Sequence, residues 1–342
     1  MSSITEKPAP PAAPAAARPA GWLRSVLSNQ HVLLLVALAI LVAYFTFRDS
    51  VFISTPEIAV LLTNFSTLIL LAVGETFVII SGGIDLSVGA ICGFAGVIAA
   101  FAMRGLVNAH DSEALVLLVG TVICAGIGIG VGLVNAALMN WARLVPFVAT
   151  LATLGACTGL ALVLSNGVPI GSDSSALAVG ADRAGPFPYM FLVVLAIVVI
   201  SWLYLHLSRY GRYTYAVGSN SFAARTAGIH VRRHLTSVYV LSGLLSGLTG
   251  MVFYIRLGAG APSSGDGFEL TAIAAVVIGG VSLFGGVGRL TGTILGALIL
   301  TVVTSGLIIS NVSPNWNQVA VALCIAAAAS LQALRPSNRR QS

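Results

Sequence analysis

Charge is what this sequence has least of. Charged side chains make up 8% of its 342 residues, against about a quarter in an ordinary soluble domain. That shortage excludes a water-facing surface of the usual kind, and with it any sizeable soluble domain. Lysine occurs once, at Lys7. A phosphate-cradling loop of the form G-x-x-x-x-G-K-[ST] needs a lysine that reaches the phosphates, so this chain has no such nucleotide site. Cysteine occurs four times, at Cys92, Cys124, Cys157 and Cys324, always within apolar runs and never as C-x-x-C. A disulfide framework or a thiolate metal site is thereby excluded, and the four read as small packing residues. His230 and His234 stand four apart but lack a third ligand, so no metal is expected. The basic balance is the one expected of cytoplasmic loops, and no basic patch of the kind that binds nucleic acid is expected.

What the sequence has is apolar length. Hydrophobic residues are 57% of the chain and the mean hydropathy is +0.97. A spanning helix needs about 20 mainly apolar residues, and ten candidate segments follow one another: 31–47, 57–80, 84–105, 114–140, 146–166, 187–208, 235–257, 268–284, 289–310 and 315–334. The expected fold is all-α, a polytopic transmembrane bundle of about ten spans. With both termini placed in the cytoplasm, 13 basic residues fall inside and four outside, the asymmetry that membrane insertion favours. The opening "MSSITEKPAPPAAPAAARPA" holds five of the 13 prolines. Residues 1–25 therefore read as a disordered cytoplasmic tail, 26–335 as the membrane domain and 336–342 as a second tail. No small-residue cleavage site follows the first apolar run, so it reads as an uncleaved span. Glycines at four-residue spacing, such as Gly126/Gly130, Gly128/Gly132, Gly243/Gly247 and Gly288/Gly292/Gly296, read as close helix contacts.

Two acids fall where lipid would make them expensive, Glu75 in "LAVGETFVII" and Asp85 in "SGGIDLSVGA". Ionisable groups at membrane depth mark pathways or gates by default, and Asn64 and Ser87 join them as candidate pathway residues. A packed, hydrogen-bonded acid is the competing reading for Glu75. For Asp85 the local reading is stronger. Gly82 and Gly83 break the helix, which leaves Asp85 in the first turn of the next one, where a carboxylate accepts free N–H groups. "IISGGIDLS" also resembles "VVIGGVSLF" at 276–284, as a repeat relic or by chance. A carrier that moves protons on Glu75 and Asp85 is the alternative function. No nucleophile–base pair supports an intramembrane enzyme, and no catalytic residue is assigned.

Residues 209–234 read as a cytoplasmic loop with five arginines and no acid. Within it "SNSFAARTAGI" predicts a short helix capped by Ser219 or Ser221 and closed by Gly228. Such an element suits docking of an external motor, or of lipid headgroups.

Three stretches, "GGIDLSVG", "AVGSNSFAARTAGI" and "AAVVIGGVSLFGGVGRLTGTILGALI", occur in order and resemble the membrane permease subunit of bacterial monosaccharide ABC importers of the ribose, xylose and galactose type. The resemblance runs from about residue 31 to 334. Branched-chain amino-acid permeases are more distant and differ at the Gly-Gly-Ile-Asp-Leu-Ser position. The resemblance implies a multi-pass protein of the bacterial inner membrane that pairs with a second permease subunit, identical or not. It also implies a cytoplasmic ATP-binding subunit holding ATP–Mg, a periplasmic sugar-binding protein, and no cofactor in this chain. Gly218, Asn220, Ala223, Ala224 and Gly228 match the family's coupling segment, which would fit a groove on the ATPase.

Overall fold

The computed structural model describes residues 30–108, 112–171 and 182–313, with isolated residues from 316 to 326. The tails expected at 1–25 and 336–342 lie outside the described residues, as does most of segment 315–334. Eight described helices are long and apolar enough to cross a membrane. They are α1 (Gln30–Arg48), α2 (Thr55–Ile80), α3 (Val88–Asn108), α4 (Glu113–Asn140), α5 (Pro146–Ser165), α6 (Tyr189–Leu207), α9 (Val231–Leu257) and α11 (Leu290–Ile309). Between α6 and α9 lie α7 (Arg209–Ser219) and α8 (Ser221–Thr226), and α10 (Phe268–Ile278) precedes α11. β-structure among the described residues is limited to two-residue pairs, such as Ile170–Gly171 against Ala259–Gly260.

α2 is the axis of the bundle. Every residue from Phe65 to Ile80 is buried, as befits a helix surrounded by others. It packs against α6, α9, α10 and α11, while α9 also packs on α3 and α4. Lipid removes the hydrophobic drive between helices, so close backbone approach and interhelical hydrogen bonds hold them together. Gly128 and Gly132 of α4 lie on α9, where a Cβ on Gly128 would strike the Gly243 carbonyl. Gly126 and Gly130 of the same helix meet nothing within 4 Å among the described residues. The packing reading of the glycine spacing therefore holds for one face of α4 and not the other. Gly288 is not helical, because it lies in the turn before α11.

Three expectations are corrected. Segment 268–284 becomes only the 11-residue α10. At 1.5 Å per residue that is about 16 Å, half of a hydrocarbon core of about 30 Å. Gly280, at φ +86°, ends it in a left-handed cap in which Gly280 and Val281 donate to Val277 and Val276. The same cap ends α2, where Gly82 (φ +88°) and Gly83 donate to Ile79 and Val78 at 3.0 Å each. The left-handed residue is the first glycine of one pair and the second of the other, so the echo between the two stretches is offset by one residue. Second, most of the expected loop at 209–234 is helical, as α7, α8 and the first turn of α9. Third, the cap of α8 is Asn220 rather than a neighbouring serine. Its Oδ1 accepts the Ala223 N–H at 3.0 Å.

Candidate functional site

α9 begins just after α8 and runs 27 residues, about 40 Å at helical rise, so its two ends mark opposite faces of the bundle. At its far end, Arg256 helps line a cavity of about 420 Å³. This size falls within the usual range of small-molecule sites, about 300–1,000 Å³. Its polar lining comes mainly from Asn64, Thr67, Thr271, Thr301, Thr304 and Gln318, with Asp266 at the start of α10. A second hollow of about 360 Å³ adjoins it, and both share Asn64 and Arg256. The Asn64 amide points Nδ2 at the Ser305 hydroxyl, 3.5 Å away, while its buried Oδ1 has no partner among the described residues. A buried carbonyl oxygen without a donor favours a ligand that brings one. Hydroxyls and amides without a dominant charge match a neutral polyhydroxylated solute.

The other three candidate pathway residues lie elsewhere. Glu75, Asp85 and Ser87 are fully buried and line neither cavity. Asp85 Oδ1 accepts the Ser87 amide at 3.0 Å and the Ser87 hydroxyl at 2.5 Å, and its Oδ2 accepts the Ser242 hydroxyl at 2.9 Å. The Asn135 side-chain amide donates to Ser87 Oγ at 2.9 Å, and Thr153 donates to Asn135 Oδ1 at 2.6 Å. Glu75 Oε1 accepts the Asp85 amide at 3.2 Å, and its Oε2 has no hydrogen-bond partner among the described residues. One polar network thus joins the break after α2 to α4, α5 and α9. Gly83 leaves room for the Tyr239 ring, whose hydroxyl a Cβ there would overlap. Irregular backbone at membrane depth is tolerated when protein groups satisfy it, and this network does so.

The coupling candidates form a separate cluster at the opposite face. Ala224 is buried with Val217 and Val231, whereas Phe222 is 76% exposed beside it. Gly228 takes φ +86° and turns the chain from α8 into α9. α7 is tied to its neighbours by rings: Tyr210 stacks on Tyr204 at 4.5 Å and leans on His234 at 4.6 Å. Burial pushes the Tyr210 hydroxyl up to about 12, against the donation it receives from Ser237, so it stays neutral at physiological pH. Thr214 Oγ1 meets His234 Nε2 at 3.0 Å. His230 and His234 do not converge on a metal cluster among the described residues.

Sequence reading missed Ser242, Asn135 and Thr153 in the network, and Arg256, Asp266, Thr271, Thr301, Thr304 and Gln318 in the cavity. A signal existed for Asn135, an amide within the apolar run "GLVNAALM". Single threonines carry none, since in helices they also bond their own backbone, as Thr301 does to Ala297 at 2.8 Å.

The chain is 35% identical over 314 residues to the ribose import permease protein of Escherichia coli (strain K12), covering 90% of this chain and 93% of that protein. It is 35% identical over 305 residues to the D-allose transport system permease protein of the same organism, covering 87% and 90%. It is 33% identical over 323 residues to the galactose/methyl galactoside import permease protein of that strain, covering 91% and 95%. Residues 57–329 match the family model described as branched-chain amino acid transport system / permease component. That span takes in the cavity, the network around Asp85 and the α7–α8 segment, so the chain belongs to this family of membrane transport permeases.

Proposed function

We propose that this chain is the membrane-spanning subunit of an ATP-binding-cassette importer that passes a monosaccharide or related polyol inward. The observation that carries the proposal is the cavity around Asn64, whose buried Oδ1 lacks a donor among the described residues and whose uncharged polar lining is hydroxyls and amides set among apolar side chains. Sugars supply such donors. The relatives named for ribose, D-allose and galactose import support the same substrate class.

The chain works by alternating access with a second permease subunit in the bacterial inner membrane. A periplasmic binding protein delivers sugar to the cavity face. A cytoplasmic subunit binds ATP–Mg and docks on α8, the face from which Phe222 projects. Moving such a two-state path from 1:99 to 99:1 takes about 5.5 kcal/mol of differential binding. ATP and the docked binding protein supply it, because the only lysine is Lys7 and no phosphate-binding loop is present in this chain. Glu75 and Asp85, the pair a proton-driven carrier would use, stand apart from both cavities.

The test is uptake of labelled ribose, allose and galactose by cells expressing the operon-matched subunits. Uptake of one of these should stop when ATP is depleted and persist with a protonophore while ATP is maintained. Loss with the protonophore alone would overturn the proposal.

A further inference from the structure

The C-terminus of α7 stands on the backbone of two other segments, with almost no side chain between. Gly218 faces the last turn of α2 and the turn between α10 and α11. A Cβ on it would collide with the Ile80 carbonyl and come within 2.8 Å of the Gly286 nitrogen. Those two groups are bonded to each other, Gly286 N–H donating to Ile80 C=O at 2.8 Å. A Cβ on Gly285 would come within 2.9 Å of both the Gly218 carbonyl and the Gly82 Cα. One position further, a Cβ on Gly286 would reach Ser219. Tyr215, one helical turn back on α7, donates its hydroxyl to the Gly288 carbonyl at 2.8 Å.

The segments gripped here are the ones that build the cavity. α2 carries Asn64 and Thr67, α10 carries Thr271, and α11 carries Thr301 and Thr304. Gly218 to Gly286 touches the C-terminal end of α2 and the turn that leads from α10 to α11, at the face opposite the cavity. Backbone-to-backbone contact leaves no rotamer to absorb a displacement, and packed interiors transmit strain for that reason. From Ile80 to Asn64 is 16 residues of continuous helix, a rigid rod of about 24 Å.

From this contact we infer that Gly218 and Tyr215 are positioning residues: they convert movement of α7–α8 into movement of α2, α10 and α11, and so of the cavity walls. This inference rests on the importer reading above. The glycine gives contact without a cushion, and the tyrosine hydroxyl holds the turn before α11 in register with α7. α4 is not part of this junction. It is tied to the same break through Asn135 and the Asp85 network.

The experiment uses the full complex, permease with its ATPase and binding protein, in proteoliposomes, with sugar uptake and ATP hydrolysis measured on one preparation. Tyr215→Phe removes one hydroxyl. It should lower sugar moved per ATP by about fivefold, the factor associated with one net hydrogen bond, with complex assembly and hydrolysis retained. Gly218→Ala should lower the ratio further. Gly126→Ala, whose added methyl meets nothing within 4 Å among the described residues, should keep the wild-type ratio. A purely structural role would reduce assembly, uptake and hydrolysis together and leave the ratio intact. That result in Tyr215→Phe overturns the inference, whether or not Gly218→Ala assembles. Absence of ATP-driven uptake in the wild-type complex would instead overturn the importer reading.

Discussion

The Asp85 carboxylate accepts the Ser242 hydroxyl at 2.9 Å across 157 residues of sequence, and this one bond ties the break after α2 to the middle of α9. Asp85 is fully buried and takes two more donors from Ser87. Removing the acceptor leaves several donors stranded, at about 1–3 kcal/mol each. Asp85→Ala should therefore lower the thermal midpoint strongly in detergent. Asp85→Asn keeps the shape and an acceptor oxygen for Ser87, and should cost about 1 kcal/mol. Scanning fluorimetry on both variants checks this. Equal midpoints would show that the network does not hold the break.

The two faces of α4 make a paired prediction. A methyl on Gly128 has nowhere to go except into the Gly243 carbonyl, with the Gly247 Cα only 3.1 Å away. Overpacking of this kind costs about 1–3 kcal/mol. Gly126, two residues earlier, has open space among the described residues, and alanine there gains about 1 kcal/mol of helix propensity. Thermal midpoints should fall for Gly128→Ala and hold or rise for Gly126→Ala.

In the cavity, Asn64→Leu should hurt uptake without hurting insertion. Leucine keeps the volume but removes the unpartnered Oδ1 and the donor to Ser305. Losing one hydrogen bond to a sugar hydroxyl is worth about 1 kcal/mol, read as a roughly fivefold rise in the half-saturating sugar concentration. Thr301→Val, which removes only a hydroxyl from the same wall, should act in the same direction. Concentration-dependent uptake at matched membrane levels decides it.

The bundle was legible because its signal is dense: eight of the ten apolar segments are long helices among the described residues. The Gly82–Gly83 break was also legible, because glycine pairs inside an apolar run have few other uses. α10 was not. The run through 268–284 continues apolar past Gly280, and hydropathy does not register a left-handed cap. α7 escaped for the opposite reason: "RYGRYTYAVGS" has arginines and glycines where a membrane reading looks for apolar length. Of the four pathway candidates only Asn64 lines a cavity. Glu75, Asp85 and Ser87 stood out because acids and serines are conspicuous in lipid. The cavity instead draws much of its polar lining from threonines, which single-sequence reading cannot separate from helix-satisfied side chains.

α8 is six residues long, too short to persist without its cap. Asn220 Oδ1 holds the Ala223 N–H at 3.0 Å, and losing such a cap costs about 1 kcal/mol. Asn220→Ala should therefore loosen α8 and weaken capture of the proposed ATP-binding subunit by about fivefold. Asn220→Asp, an equally good cap, should retain it. Gly228→Ala acts at the other end, since φ +86° is unfavourable for alanine. It has open space around it, so its effect comes from backbone strain alone and should match that of Asn220→Ala. Co-purification of the permease with its ATPase measures all three. Asn220→Ala and Asn220→Asp behaving alike would mean that α8 is shaped by its partner rather than presented to it ready-made.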